Sequence, residues 1–410
     1  MRLQILGGGN NQINAIKRAK EKGHEVVLID YFEDAPGRKY AKYNEVVSTF
    51  DVEGNIAAAK KYSVDGIMTL GTDQPIYTAA RVASELNLPS FLDVPTAKAV
   101  TNKKIMKDTF AKYNIPSVKY KFVDKDFKKR DCQGMKFPVV LKPLDSQGQR
   151  GVFKLNTPKE VENNILNTLS YSREEEALLE EFYESDEITV SSWVIDGKPY
   201  ILTITDRGIF QRGKHIGICF AHDFPTKHID KYEEIKKIND DITKAFKIQN
   251  GPLYVQLLVG RDGILVNEIA CRIGGAYEDI FIPYLTGIDI LDLVIDHSLG
   301  QGKISDIQSS PLESKSNLSV QLFFANAGKV KEITPIKTLL KLPGVISAGY
   351  NISKGMEIQT IKNATARAGY IIIVGAGREE LYRNINNTFD NLKILNESNN
   401  NLAIQSKYYE

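Results

Sequence analysis

The sequence predicts a multidomain protein of the α/β and α+β classes, with an open parallel sheet at its start. Short apolar runs near Leu3, Val26, Glu45, Gly66 and Leu88 alternate with helical patterns, which is typical of a parallel α/β domain. From Tyr120 to Asp196 the pattern becomes strand, glycine loop, strand, helix, strand and strand, which indicates an α+β unit. At 410 residues the chain is also too long for one ordinary core.

This pattern divides the chain into five consecutive segments. We expect a Rossmann-like domain over residues 1–92, linking helices over 93–119, a small lobe over 120–196, a large lobe over 197–305 and a small C-terminal α+β domain over 306–410.

Composition and charge limit the partners and the compartment that we expect for this protein. The formal net charge is +2 without a polybasic block, so neither nucleic acid nor an anionic membrane is an expected partner. The N-terminus lacks the pattern of a signal peptide, and no apolar run reaches membrane-spanning length. The three cysteines lack metal-ligand spacing and fit a reducing compartment. We therefore expect a cytoplasmic protein that acts on small molecules, with a homodimer as the candidate assembly.

The first glycine turn, in LQILGGGNNQINAIKRAK, departs from a dinucleotide-binding turn. That fingerprint places glycines at the first, third and sixth positions, so that the backbone can approach a pyrophosphate. Gly7 and Gly9 fill two positions, but Gln12 occupies the third. NAD is therefore not expected here. Gly8 and Gly9 are candidates for contact with a small substrate, the alternative being a loop that only turns the chain.

The stretch FPVVLKPLDSQGQRGVFKL places Lys142 at the end of a strand, followed by a loop that holds Gly148 and Gly151. A lysine beside flexible backbone N–H groups can neutralise and cover nucleotide phosphates. The loop leads into a strand rather than a helix, so it is not a P-loop. The alternative is a hairpin with a solvated lysine.

The stretch ALLEEFYESDEITVSSWVI indicates a hinge between lobes, because an apolar strand runs into acids and an aromatic before the next strand. Backbone groups of Glu181 to Tyr183 are candidates to read adenine, and Glu187 is a candidate acceptor for ribose hydroxyls. The alternative is a pair of solvated acids at a strand end.

The stretch GPLYVQLLVGRDGILVNEIACRIGGAYED predicts a hairpin around a three-residue loop, Arg261 to Gly263. If Gly260 pairs with Ile264, Gln256 falls opposite Glu268. An amide oxygen beside a carboxylate suits Mg²⁺, with phosphate oxygens completing the shell.

Strand alternation places Arg272 on the same face as this pair, where it can clamp a phosphoryl group or an anionic intermediate. The alternative is a structural ion pair between Arg272 and Glu268. Gly274 and Gly275 follow, and let a substrate approach the backbone.

Together and in this order, these stretches and the helix TNKKIMKDTF resemble the ATP-grasp family of carboxylate–amine ligases, over about residues 1–305. The resemblance implies a Rossmann-like pre-ATP-grasp domain, a two-lobed ATP-grasp fold and ATP between the lobes. It implies Mg²⁺, or alternatively Mn²⁺, on Gln256 and Glu268, with Arg272 and Lys142 as catalytic residues. The residues implied to contact ATP are Lys103, Lys142, Ser146, Gln147, Gly148, Gly151, Glu180, Glu181, Phe182, Tyr183 and Glu187.

Two residues depart from the family pattern. Ala270 stands where many members have an asparagine, and Gln256 stands where a glutamate is usual, which leaves the number of metal ions open. The pattern from Glu268 to Arg272 resembles bacterial L-amino acid ligases, the dipeptide-forming type.

His222, in CFAHDFPT, is expected on a loop before the helix that starts near Lys231. It is a candidate substrate contact, the alternative being a solvent-facing histidine.

The expected function is ATP- and metal-dependent coupling of a carboxylate to an amine through an acyl phosphate, with release of ADP and phosphate. The alternatives are an ATP-grasp enzyme of the biotin-carboxylase or purine-pathway type, or a non-catalytic ATP-binding module.

Overall fold

The structure is a computed structural model that describes residues 1–212, 215–302, 307 and 316–405. The strands of the N-terminal domain are β1 (Arg2–Leu6), β2 (Glu25–Asp30), β3 (Tyr43–Val46) and β4 (Gly66–Thr69). Its helices are α1 (Ile13–Glu21), α2 (Val52–Tyr62) and α3 (Pro75–Leu86). The strands form a parallel sheet in the order β3-β2-β1-β4. The fifth predicted strand, at Leu88, is wrong, because the Leu88 N–H donates to the Ala83 carbonyl (2.9 Å) and closes the end of α3.

Two linking helices follow, as predicted, and are α4 (Val94–Thr101) and α5 (Lys103–Lys112). Asn102 starts α5 because its side-chain oxygen accepts from the N–H groups of Lys104 (3.0 Å) and Ile105 (3.2 Å). The small lobe contains β5 (Tyr120–Asp124), β6 (Val139–Pro143), β7 (Phe153–Leu155), α6 (Pro158–Leu169) and β8 (Glu176–Glu181). Its strands form an antiparallel sheet in the order β5-β8-β6-β7.

The next elements build a large sheet. Its strands up to residue 270 are β9 (Ser185–Ile195), β10 (Lys198–Arg212), β11 (His215–Phe224), β12 (Gly251–Gly260) and β13 (Gly263–Ala270). The helices of this region are α7 (Tyr232–Ala245), α8 (Glu278–Thr286) and α9 (Ile290–Ser298). The remaining strands are β14 (Asn317–Gln321), β15 (Phe324–Ala325), β16 (Gly328–Ile333), β17 (Val345–Tyr350), β18 (Glu357–Ile358), β19 (Gly369–Gly375), β20 (Ile394–Asn396) and β21 (Ala403–Ile404). The last two helices are α10 (Ile336–Leu339) and α11 (Arg378–Asn391).

The large sheet has the order β13-β12-β9-β10-β11-β14-β19-β17, so it differs from the expected division into lobes. Strand β9 lies within the span expected for the small lobe, yet it pairs with β10 and β12. Strands β14, β19 and β17 of the C-terminal segment extend the same sheet. The expected boundary at residues 305 and 306 lies outside the described residues.

The two faces of the large sheet have different roles. Ile188 and Val190 of β9 are buried in one core with Ile235 and Ile242 of α7. Strand alternation therefore turns the intervening Thr189 to the opposite face, which carries the polar side chains of the site described below. Within the described ranges, no helix combines the length and apolar character needed to span a membrane.

Candidate active site

The β12–β13 hairpin sets the predicted metal ligands side by side. Gln256 pairs with Glu268, which confirms the predicted pairing but not the predicted register. Gly260 pairs with Gly263, so the turn contains two residues rather than three. A bulge at Asn267 adds one residue to β13 and restores Glu268 to its place opposite Gln256.

The bulge also brings Asn267 into the site. The Lys142 ammonium lies 3.0 Å from Asn267 Oδ1 and donates to it. The sequence does not predict a role for Asn267, because strict alternation turns it away from Glu268 and no local spacing indicates the bulge.

Glu180 lies between two lysines at the centre of the site. Its two carboxylate oxygens lie 2.6 Å from Lys107 Nζ and 2.6 Å from Lys142 Nζ. Burial raises the pKa of Glu180, but the two lysines outweigh burial and hold that pKa well below its ordinary value. The carboxylate of Glu180 thus holds two lysines, and its predicted contact with adenosine stays a prediction.

Lys107 was missed, although a signal for it exists in the sequence. It follows Lys103 by four residues on α5, and side chains at this spacing share one helix face. Burial lowers the pKa of Lys107, and Glu180 opposes that shift.

Lys103 bridges the metal ligand and the glycine loop. Its ammonium lies 2.7 Å from Glu268 Oε1 and donates to the Ser146 carbonyl at 3.2 Å. Burial opposes the ionised form of Glu268, yet Lys103 holds the pKa of that carboxyl below its ordinary value. Glu268 is therefore an anion next to Lys103, at the start of α5.

The glycine loop from Ser146 to Gly151 contacts other parts of the chain. The side-chain oxygen of Gln147 accepts from the Asp73 N–H (2.6 Å), and the Gly148 carbonyl accepts from the Ala364 N–H (3.2 Å). Gly148 and Gly151 have φ values of +69° and +70°, a region that favours glycine. The loop therefore needs glycine at these two positions, because residues with a Cβ atom rarely adopt such φ values.

Arg272 meets an acid of the N-terminal domain. Its Nε and Nη2 lie 2.7 and 2.5 Å from Asp73 Oδ1, and its guanidinium carbon lies 4.5 Å from the centre of the Tyr254 ring. The alternative ion pair of Arg272 with Glu268 is therefore not formed. Asp73 was missed, although it follows strand β4 at the carboxyl edge of the sheet, where ligands bind in open α/β domains.

Two sequence profiles match the chain that builds this arrangement. One, described as an ATP-grasp domain, matches residues 135–279, which include Lys142, Glu180, Gln256, Glu268 and Arg272. The other, described as L-amino acid ligase C-terminal domain 2, matches residues 321–397. The chain therefore contains an ATP-grasp domain, followed by a segment that matches the C-terminal domain of L-amino acid ligases.

Two relatives and one solved structure are similar to this chain over most of its length. A phosphoribosylamine–glycine ligase from Methanococcus vannielii is 25% identical, over 93% of this chain and 86% of its own. Dapdiamide A synthase from Enterobacter agglomerans is 21% identical, over 80% of this chain and 79% of its own. The crystal structure of an L-amino acid ligase from Bacillus licheniformis has the same fold, with a TM-score of 0.83, 20% identity and coverage of 97% and 98%.

Two backbone N–H groups of the hinge between the lobes form hydrogen bonds within the protein. The N–H groups of Glu181 and Phe182 donate to the carbonyls of Lys119 (2.9 Å) and Pro138 (2.9 Å). The predicted contact of adenine with backbone groups of Glu181 to Tyr183 stays a prediction, in which the N–H groups of Glu181 and Phe182 already have partners within the protein. The Phe182 ring carries Lys154 Nζ at 3.5 Å from its centre.

Tyr183 fastens the hinge to the hairpin turn. Its hydroxyl donates to the Gly263 carbonyl (3.0 Å) and accepts from the Asp262 N–H (3.0 Å). The phenol thus joins the small lobe to the large sheet, whereas the predicted adenosine contact concerns the Tyr183 backbone.

Glu187 and His222 lie in one cross-strand row of the large sheet, on either side of Arg207. The Glu187 carboxylate lies 3.2 Å from Arg207 Nε, and its predicted contact with ribose hydroxyls stays a prediction. His222 lies on β11 rather than on a loop, is buried, and its Nδ1 lies 3.0 Å from Thr205 Oγ1. Burial and the nearby arginines hold the pKa of His222 well below its ordinary value, so the imidazole is neutral.

The N-terminal glycines predicted to meet substrate are engaged in packing. The Gly8 N–H donates to Asp30 Oδ2 (2.7 Å), and its carbonyl accepts from the Gly37 N–H (2.7 Å). The Gly9 carbonyl accepts from the Gln12 N–H (3.0 Å). Both polar backbone groups of Gly8 are thus used within the domain, and the substrate contact of these glycines stays a prediction.

Gly274 and Gly275 also serve packing. A Cβ atom on Gly274 would lie 2.0 Å from the Glu278 carboxylate, and one on Gly275 would lie 2.9 Å from the Gly71 carbonyl. Both glycines therefore allow other parts of the protein to pack closely, and their contact with substrate stays a prediction.

Proposed function

We propose that this ATP-grasp ligase uses ATP to activate a carboxylate as an acyl phosphate and then couples it to an amine, releasing ADP and phosphate. One observation carries the proposal. Lys103, Lys107 and Lys142 converge on the carboxylates of Glu180 and Glu268 beneath the glycine loop. Three positive charges against two negative ones leave a buried excess that suits a polyphosphate.

Gln256 and Glu268 are the residues that would hold Mg²⁺, with Mn²⁺ as an alternative. Their amide and carboxylate oxygens are hard ligands set side by side. In the described segments, no group of three or more His, Cys, Asp or Glu side chains is placed to bind a metal ion, so phosphate oxygens or water would complete the shell. A bound metal ion would neutralise charge on the transferred phosphoryl group. Lys103, freed from Glu268, would then meet the phosphates.

In the first step an oxygen of the substrate carboxylate attacks the γ-phosphorus, and the bond from that phosphorus to the ADP oxygen breaks. Lys142 would offset the negative charge of the phosphates, and Arg272 would hold the transferred group and the carboxylate together. In the second step the amine nitrogen attacks the acyl carbon, phosphate leaves with the bonding electron pair, and the nitrogen loses a proton to solvent.

Amino acids are the substrates that we favour. The C-terminal match is to an L-amino acid ligase domain, and the structure with a TM-score of 0.83 is that of an L-amino acid ligase. A purine-pathway reaction is the second candidate, because the Methanococcus relative is a phosphoribosylamine–glycine ligase. We expect the protein in the cytoplasm, with a homodimer as the candidate assembly.

A screen of paired substrates tests the proposal. The purified protein is incubated with MgATP and each pair of L-amino acids, and with glycine plus phosphoribosylamine, while ADP release is recorded. We expect ADP release that requires both members of one pair. ADP release without any dependence on an acceptor amine would instead indicate an ATPase, and absence of ATP binding in calorimetry would exclude the family's chemistry altogether.

Lys142→Ala tests whether Lys142 contributes to nucleotide binding. It should weaken the affinity for ATP as well as turnover, whereas NAD should show no binding to either protein. Lys154→Ala, which removes a lysine over the Phe182 ring, tests whether any lysine near the hinge has the same effect.

A further inference from the structure

A third arginine, Arg367, reaches the site from the C-terminal segment. Its Nη2 donates to the Cys219 carbonyl of β11 at 3.1 Å. Its Nε is buried and has no hydrogen-bond partner, and no carboxylate among the described residues forms an ion pair with it. A half-buried guanidinium without an anion is costly, so the arrangement favours an anionic ligand.

The backbone around Arg367 is fixed from three sides. The Arg367 carbonyl accepts from Asn351 Nδ2 (3.1 Å), and the Asn351 side-chain oxygen accepts from Asn10 Nδ2 (2.9 Å). Ala364, three residues earlier, donates to the Gly148 carbonyl of the glycine loop (3.2 Å). These contacts hold the turn against both the N-terminal domain and the loop that covers the site, so Arg367 is positioned by contacts outside its own segment.

The surroundings of Arg367 are positive. Arg207 is close enough that its charge, together with burial, lowers the pKa of Arg367. Arg207 already has Glu187, and the neighbouring His222 is neutral, so neither supplies an anion to Arg367.

The position of Arg367 separates it from the triphosphate. Its guanidinium contacts β11, and Glu268 lies on β13, four strands away in the sheet order. Four strand spacings amount to roughly 19 Å. An anion bound at Arg367 would therefore lie apart from Gln256 and Glu268.

We propose that Arg367, with Arg207 beside it, binds a carboxylate of the amine substrate that is not activated, so that the amine substrate is an amino acid. This inference rests on the proposed ligase function and specifies its acceptor.

Matched acceptors test the proposal in turnover. For the active pair, the acceptor L-amino acid is compared with its amide, which keeps the amine and the side chain but loses the carboxylate. We expect the KM of the amide to be roughly tenfold or more above that of the acid. Arg367→Gln should raise the KM of the acid to that of the amide while leaving the KM of ATP unchanged.

Two further variants keep this comparison interpretable. Arg383→Gln, an exposed arginine on α11 of the same segment, should behave as the wild type. Arg367→Lys retains a charge and should recover part of the discrimination, and it replaces Arg367→Gln if that variant does not fold. An unchanged KM for the acid in both Arg367 variants would overturn the proposal. The proposal would also be overturned if the KM changed only when a second carboxylate of the donor, and not the carboxylate of the acceptor, is replaced by an amide.

A binding measurement separates this subsite from the ligase reaction. The thermal midpoint is recorded in MgADP with each of the twenty L-amino acids and the corresponding amides. A stabilisation by acids, but not amides, that Arg367→Gln abolishes and Arg383→Gln retains would support the subsite even if no pair released ADP. ADP release by wild type and Arg367→Gln with the same kinetics would support the ligase and overturn the subsite. Failure of every amino acid to stabilise the wild type or to release ADP would also overturn it.

Discussion

Lys103 Nζ lies 2.7 Å from Glu268 Oε1, so a cation of the protein neutralises the carboxylate that we assign to the metal ion. Burial alone would favour the protonated carboxyl, and Lys103 keeps it ionised. The pair thus holds the ligand in the charge state that a metal ion requires. Binding of MgATP would exchange one cation for another at Glu268 and leave Lys103 for the phosphates.

The first prediction concerns this carboxylate. Glu268→Gln keeps the shape of the side chain but removes the charge, so it should remove most Mg²⁺-dependent turnover and raise the half-saturating Mg²⁺ concentration roughly tenfold or more. ADP release as a function of Mg²⁺ measures the effect, and circular dichroism checks the fold. Glu175→Gln, an exposed acid of the small lobe, is the control. An unaltered Mg²⁺ dependence in the folded Glu268 variant would place the metal ligands elsewhere.

The second prediction concerns Arg272. Arg272→Ala should retain ATP affinity but lose about 3 kcal/mol of transition-state stabilisation, roughly a hundredfold in the rate of ligation. Arg272→Lys should rescue poorly, because an ammonium lacks the fork with which the guanidinium meets Asp73. Calorimetry measures ATP binding and single-turnover kinetics measures ligation. Ligation at the wild-type rate by Arg272→Ala would refute the assignment.

The third prediction is a pH dependence of stability from Asp279 at the start of α8. Burial raises the pKa of Asp279 to about 7, although the hydrogen bond from Asn14 Nδ2 (2.6 Å) opposes the shift. The folded pKa lies above the unfolded value of about 3.9, so the folded state binds the proton more tightly. This contribution to stability is complete below pH 4 and is lost as the pH rises from about 4 to about 7, by at most about 1.4 kcal/mol per pH unit.

Urea unfolding from pH 4 to 8 measures this dependence. Asp279→Asn should flatten that slope and raise stability at pH 8, whereas Asp126→Asn, at an exposed position, should leave the slope unchanged. An identical slope in wild type and Asp279→Asn would assign the pH dependence to other groups.

The fourth prediction concerns the packing of Gly274. Gly274→Ala would place a Cβ atom 2.0 Å from the buried Glu278 carboxylate, which must move, so the variant should lose about 1–3 kcal/mol of stability. Gly377→Ala is the control, because its added Cβ atom meets nothing within 4 Å. Urea midpoints compare the two variants, and equal midpoints would show that Glu278 moves aside at no cost.

The local pattern of the sequence was sufficient for several elements of the fold and the site. Apolar periodicity located the four strands of the first sheet, and the residues from Asp93 to Tyr113 form the two helices that it predicts. The predicted pairing of Gln256 with Glu268 also holds, although it depends on a two-residue turn and a bulge at Asn267 instead of the predicted three-residue loop. These features depend on contacts between residues close in the chain, whose geometry the side-chain periods of helices and strands already fix.

Only the tertiary structure decided which charges meet. Asp73 reaches Arg272 across 199 residues, and Lys142 reaches Asn267 across 125 residues, at a bulge that alternation does not reveal. Glu180 binds Lys107 and Lys142 rather than standing free at a strand end, and His222 is buried on a strand. Such pairs depend on how separate elements dock. A buried charge needs a partner, but that partner can lie anywhere in the sequence. The spacing of residues along the chain therefore does not predict which charges pair.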